Sequence, residues 1–174
     1  TINENDPKPV KEMIKSTKKV NVGPMAAVAG LFSETVGKAV LKKTDEVIVE
    51  NGGDIYLSVK NDPVIGIYAG KDSPFTGKIG IKISAENTPS GICTSAGTIG
   101  PSLSQGKADA VIVLSPVTTL ADACATALGN LVNNKNDIQK VISKGKNIEN
   151  INGLLVIKDD NIGVWGDLEL VKMN

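Results

Sequence analysis

The sequence predicts an α+β layered domain in which helices pack on a mainly antiparallel sheet, and two observations carry that expectation. Apolar residues recur at helical spacing in a stretch opening at Pro24, and again in T-T-L-A-D-A-C-A-T-A-L-G-N, residues 118–130. Elsewhere, short apolar or alternating runs are separated by Gly, Asn, Asp and Pro, the residues of tight turns. Helices mixed with hairpin-like strand pairs argue for layers of helix on sheet. Residues 22–174 are expected to form one domain, preceded by a polar segment and a short helix over residues 1–21. The length suits a single core, and no internal repeat or low-complexity linker interrupts it.

Residues 3–9 are polar, and Asp6 can cap a short helix opening at Pro7, with Val10, Met13 and Ile14 on one side and Lys11 and Lys15 on the other. Asn21-Val22-Gly23 breaks it. Pro24, whose missing N–H costs nothing at a helix start, opens a longer helix. There Met25, Val28, Ala29, Phe32, Val36, Ala39 and Val40 are expected to face the core, with Glu34, Lys38 and Lys42 toward water. Residues 46–50 and 55–59 read as strands flanking N-G-G-D (51–54), whose two glycines permit positive φ in a hairpin turn. Residues 64–69 form a third strand after the Asp62-Pro63 turn, and Ile79, Ile81 and Ile83 alternate as on a strand with one buried face. T-S-A-G-T-I-G-P-S-L-S-Q-G, residues 94–106, reads as a glycine- and serine-rich loop. The apolar run 110–114 is a strand, and the Thr118 helix after it turns Leu120, Cys124, Leu128 and Leu131 inward. A short helix over 137–143 stops at Gly145. The tail is β, with strands at 154–157, 162–165 and 168–171 and a turn at Asp159-Asp160-Asn161.

Composition removes whole classes of chemistry. All 19 basic side chains are lysine, and there is no histidine. Ser-His-Asp and Cys-His nucleophile systems are excluded, as are His-containing zinc sites and bidentate guanidinium clamps on phosphate. Backbone N–H groups and lysine remain for phosphate, and oxygen-ligated Mg2+ or Ca2+ remains for a metal. Cys93 and Cys124 form no C-x-x-C pattern and read as reduced, buried small residues of a cytoplasmic protein. The 19 acidic side chains balance the lysines, so neither a nucleic-acid nor a membrane partner is indicated. No apolar run reaches the roughly 18 residues of a spanning helix, and no signal peptide is visible. The first residue is Thr1, so a Met has been removed or the chain is a fragment.

Asp122 and Thr126 lie four apart and share a helix face beside the 94–106 loop. A carboxylate and a hydroxyl near a loop rich in backbone N–H groups suit a hard cation held next to an anion. Structural readings stand beside this one. Asp122 can cap the first turn of its own helix, and Thr126 can bond back to its own backbone. The loop, with Thr94, Ser95, Gly97, Thr98, Ser102 and Ser104, is either solvated or an anion cradle. N-G-G-D is a plain hairpin turn or a ligand loop, and Asp54 caps it or hydrogen-bonds a ribose. Lys107 and Asp109 read as a surface charge pair.

Five motifs, in order, resemble one uncharacterised, largely archaeal family: V-G-P-M-A-A-V-A-G (22–30), V-E-N-G-G-D-I-Y-L (49–57), I-C-T-S-A-G-T-I-G-P-S-L-S-Q-G-K-A-D-A-V (92–111), L-A-D-A-C-A-T-A-L-G-N (120–130) and I-G-V-W-G (162–166). That family is a distant relative of ApbE, the Mg2+-dependent FAD:protein FMN transferase. The resemblance implies an ApbE-like fold, a flavin (FAD or FMN) or other nucleotide as small-molecule partner, and Mg2+. It implies a metal held by the Ala26 carbonyl, Asp122 and Thr126. It places Asn51, Gly52, Gly53, Asp54, Thr94, Ser95 and Gly97 around the nucleotide, with Thr98, Ser102 and Ser104 on the same loop. Two positions depart from the ApbE pattern: its lysine is Ala27 here, and its histidine has no counterpart, the nearest position being Pro101. Three readings follow: a Mg2+-dependent binder of a flavin or nucleotide diphosphate with little transfer, a non-catalytic binding or assembly domain on the same scaffold, or an active FMN transferase. A homo-oligomer is left open.

Overall fold

The computed structural model describes residues 2–98 and 105–173. Helices α1 (Lys8–Val20) and α2 (Val28–Val40) come first, the second entered through a 3-10 turn, Pro24–Ala27. The strands are β1 (Val47–Asn51), β2 (Asp54–Ser58), β3 (Val64–Gly66), β4 (Ile79–Lys82), β5 (Ser90–Ser95), β6 (Ala110–Ser115), β7 (Gly153–Lys158), β8 (Asn161–Gly166) and β9 (Glu169–Lys172). Helices α3 (Thr118–Gly129) and α4 (Ile138–Gly145) lie between β6 and β7. One sheet has the order β1-β2-β5-β6-β7-β8 and the other β3-β4-β9, and every strand pairing among the described residues is antiparallel. The expected α+β layering is therefore the observed one.

Side-chain alternation on the large sheet explains the layers. Cys93, Val111, Val113, Leu154 and Val156 point to one face and pack with Leu120, Cys124, Leu128, Val141 and Ile142 from α3 and α4. Their neighbours Ile92, Ile112, Leu114, Leu155 and Ile157 point to the other face and meet Ile67, Ile81 and Ile83 of the small-sheet region. A strand buried on both faces reads as a continuous apolar run, which is why 110–114 shows no alternation in sequence. Each fully buried aliphatic side chain contributes about 1.5–3 kcal/mol of transfer free energy. Helix α3 is the hub, with every residue from Thr118 to Ala125 buried between the large sheet and the other helices.

Several sequence expectations are corrected here. Met25, Phe32, Val36 and Val40 do not face the core; they are 69, 60, 45 and 37% exposed. Ala39 is exposed as well, and Val28 and Ala29 are only half-buried. The buried face of α2 is Gly30, Leu31, Ser33, Glu34 and Gly37. The physical reason is close approach. A Cβ on Gly30 would stand 2.7 Å from the Asp122 Cβ, and one on Gly37 would stand 2.1 Å from the Tyr56 ring, so this face needs small residues. Glu34, expected in water, is 8% exposed. Leu131, expected inward, is 39% exposed because α3 ends at Gly129. Thr94 and Ser95 end strand β5 rather than opening a loop; S-G-I-C-T-S carries only two apolar side chains and shows little strand signal. Asp6 does not cap α1; it accepts the Asn3 N–H instead.

Candidate functional site

Two helix starts converge against strands β2 and β5 of the large sheet. The first turn of α2 presents N–H groups with no partner in their own helix, and such groups attract a carboxylate. Asp122, from α3, supplies one: its Oδ2 accepts the Gly30 N–H at 2.8 Å, and the Ala29 N–H also favours its charged form. Asp122 thus caps a neighbouring helix, not the first turn of its own. Glu34 of α2 returns the arrangement, its Oε2 accepting the Thr119 N–H at 2.9 Å and the Thr119 hydroxyl at 2.8 Å at the start of α3.

The N-G-G-D segment sits beside the same turn. Asn51 and Asp54 pair across a two-residue hairpin, with Gly52 at φ +64° and Gly53 at +96°, a conformation that glycine adopts freely. Ser33 of α2 donates its hydroxyl to the Asp54 carbonyl at 2.7 Å, and Asn51 Nδ2 reaches the Ala29 carbonyl at 3.4 Å. Asp54 lies opposite Cys93 in the β2–β5 ladder and is 7% exposed. Its Oδ1 has no hydrogen-bond partner among the described residues.

Gly52, Gly53, Asp54, Thr94, Ser95, Asp122 and Thr126 line one cavity of about 500 Å³. Of the sequence-predicted site residues, these seven are brought together. Ala26 lies in the 3-10 turn before α2, outside the lining, and Asn51 is exposed with its amide turned to α2. Gly97 is held by its N–H on the Ala108 carbonyl at 2.8 Å. Thr98 donates to Asp109 Oδ1 at 3.1 Å and borders a second hollow of about 630 Å³ beside Asp159 and Asp160. Ser102, Ser104 and Pro101 lie outside the described residues. Asp109 pairs with Lys158 at 3.6 Å, which replaces the expected pairing with Lys107.

The sequence reading missed the other wall. Ile65, Ile67 and Tyr68 reach the cavity from β3 and the segment after it, and Ile55, Ile81, Ile92 and Ile112 complete an apolar interior. Tyr68, one of two tyrosines, is 58% exposed. An aromatic within the expected strand 64–69, in an aromatic-poor chain, was the available signal.

Electrostatically the cavity is acidic, with Glu50, Asp54 and Asp122 in its lining and no lysine among the described lining residues. Burial, then the charge of Asp122, pushes the Asp54 carboxyl well above the usual carboxylate range. Burial raises Asp122 too, against the pull of the Gly30 and Ala29 N–H groups. Among the described residues no three His, Cys, Asp or Glu side chains cluster as a metal site. The donors present are hard oxygens, and the partnerless Asp54 Oδ1 fits an oxygen-seeking divalent cation better than a soft metal. No helix is long and apolar enough to cross a membrane among the described residues.

A family model described as AbpE bacteria matches residues 1–158. Among curated proteins, the chain is 42% identical over 170 residues to a UPF0280 protein of Methanosarcina barkeri, covering 97% of this chain and 66% of that protein. It is 43% identical over 165 residues to one of Methanosarcina acetivorans, covering 94% and 64% respectively. The chain thus spans a little under two thirds of those relatives' length. Among solved structures it resembles the flavin transferase ApbE from Vibrio cholerae, with a TM-score of 0.53 at 17% identity, over 84% of this chain and 50% of that one. The H257G mutant of the same protein gives 0.52 at 21% identity, over 84% and 48%. At these identities the likeness is one of fold.

Proposed function

The chain belongs to this ApbE-like family, with its archaeal UPF0280 members, and from that premise we propose that its cavity binds a flavin or other nucleotide diphosphate together with Mg2+. One observation carries the reading. The hairpin turn at Gly52-Gly53, the β5 end at Thr94-Ser95, and the Asp122–Thr126 pair come from three distant parts of the chain and open into a single cavity. Backbone N–H groups and hydroxyls there suit phosphate oxygens in a protein without arginine. The isoleucine-lined interior suits a flat apolar ring. Asp122 and Thr126, with the Ala26 carbonyl, would hold the cation, whose chemistry is to neutralise diphosphate charge. The setting in this reading is cytoplasmic.

In this proposal transfer of FMN is weak or absent. The position of the ApbE lysine is Ala27, fully buried beside Met13, Leu31 and Ala123, where an ammonium would be costly. No histidine exists to take a proton from an acceptor hydroxyl. Titration calorimetry with FAD, FMN and ADP, each with and without MgCl2, tests the reading. Mg2+-dependent binding of at least one of them is expected; no heat from any of the three contradicts it.

A further inference from the structure

We propose that Asp54 and Asp122 hold one divalent cation between them, so that the carboxylate of the N-G-G-D turn is a cation ligand and not a contact to the nucleotide. This rests on the cavity being the binding site, as argued above, and adds a ligand to it.

Three features of the geometry point there. Asp54 is 7% exposed, lines the cavity, and keeps Oδ1 without a hydrogen-bond partner among the described residues. A buried carboxylate oxygen left unmatched is unfavourable, and proteins match it with a donor or a cation. Its neighbouring charge is the wrong sign: Asp122 lines the same cavity, is itself 8% exposed, and its charge acts on Asp54. No lysine among the described lining residues offsets the two. Lastly, α2 anchors both residues. Asp122 Oδ2 is fixed by the Gly30 N–H at 2.8 Å, while the Asp54 backbone is fixed by the Ser33 hydroxyl at 2.7 Å. Two acidic groups held rigidly beside one cavity cannot relax apart into water. A cation supplies the missing positive charge, takes the free oxygen, and finds the Thr126 hydroxyl one helical turn from Asp122.

The experiment uses the full chain, stripped with EDTA and free of nucleotide. MgCl2 and CaCl2 are titrated while the melting temperature is followed, and bound Mn2+ is counted in parallel from the loss of the free-ion paramagnetic resonance signal. The parent should gain melting temperature and bind one Mn2+ per chain. Asp54→Asn and Asp122→Asn should each weaken the apparent ion affinity by about tenfold or more. In EDTA, Asp54→Asn should melt at or above the parent, because it removes a buried carboxyl whose charged form burial and Asp122 disfavour. Asp54→Asn with parent-like ion affinity overturns the proposal while leaving a cation on Asp122 standing. Asp54→Asn that melts well below the parent in EDTA, with Mn2+ binding intact, overturns it too. A parent that binds no Mn2+ and responds to neither Mg2+ nor Ca2+ overturns both this proposal and the metal part of the functional reading.

Discussion

Asp122 closes the first turn of α2 by accepting the Gly30 N–H at 2.8 Å, and it reaches that turn from the second turn of a different helix. Glu34 does the same in reverse at Thr119. The two helices therefore hold each other's termini, and the position of the candidate ligand Asp122 depends on a helix more than 80 residues away in sequence, as the 92-residue separation of this bond shows. Site geometry and fold stability are coupled at this point.

Gly30→Ala should destabilise the protein, although alanine is the better helix former by about 1 kcal/mol. The added Cβ would lie 2.7 Å from the Asp122 Cβ and 2.8 Å from the Thr118 carbonyl oxygen. Overpacking of this kind costs about 1–3 kcal/mol. Urea unfolding checks it, and a gain in stability would show that the two helices are not in contact here.

Glu34 gives the fold an acid-sensitive link. Burial alone would raise its carboxyl, but Lys38 and the N–H and hydroxyl of Thr119 outweigh that and hold it below its ordinary value of 4.5. A depressed carboxylate adds stability that is fully present above its unfolded value, and loses it as pH falls through the lower folded one. Glu34→Gln should therefore melt lower than the parent at pH 7, with the gap closing below about pH 4. Glu34→Ala, which leaves the Thr119 groups without an acceptor, should cost about 2–4 kcal/mol at pH 7. Lys38, 61% exposed, should matter less, under about 1 kcal/mol when replaced by alanine.

Two adjacent residues test which face of α2 is buried. Leu31 is 5% exposed and Phe32 is 60% exposed. Leu31→Ala should cost about 2–5 kcal/mol, and Phe32→Ala about 0.5 kcal/mol or less. The opposite order in chemical unfolding would restore the amphipathic face expected from the sequence.

That face shows why part of the structure was legible and part was not. Periodicity located α1, α2 and α3, a glycine stop bounded α4, and turn residues located the N-G-G-D hairpin, because those signals are local. The orientation of α2 is set by non-local crowding, in which Gly30 and Gly37 meet Asp122 and Tyr56, and hydropathy alone points the wrong way. Strand β5 was missed because its middle position in the sheet is supplied by neighbours, not by its own S-G-I-C-T-S composition. At the site, the i, i+4 spacing marked Asp122 and Thr126. The placing of Asp54 and Asp122 in the lining of one cavity depends on strand β2 meeting β5 beside α3, which no local pattern encodes.

Incubation with FAD, Mg2+ and a peptide bearing a flavinylation motif should leave the peptide without covalent FMN by mass spectrometry, or with traces. Loss of a positioned general base costs about 10²–10⁴-fold. Efficient transfer that disappears in Asp122→Ala would make the chain an active transferase and contradict the proposed loss of chemistry.

The measurement that bears most directly on the central claim is a crystal structure of the chain grown with FAD and MgCl2. The diphosphate is expected between the Gly52-Gly53 turn and Thr94-Ser95, with the cation against Asp122 and the ring among the isoleucines of the cavity. A flavin ordered elsewhere on the molecule, or a cavity holding only solvent at saturating FAD and Mg2+, would contradict it.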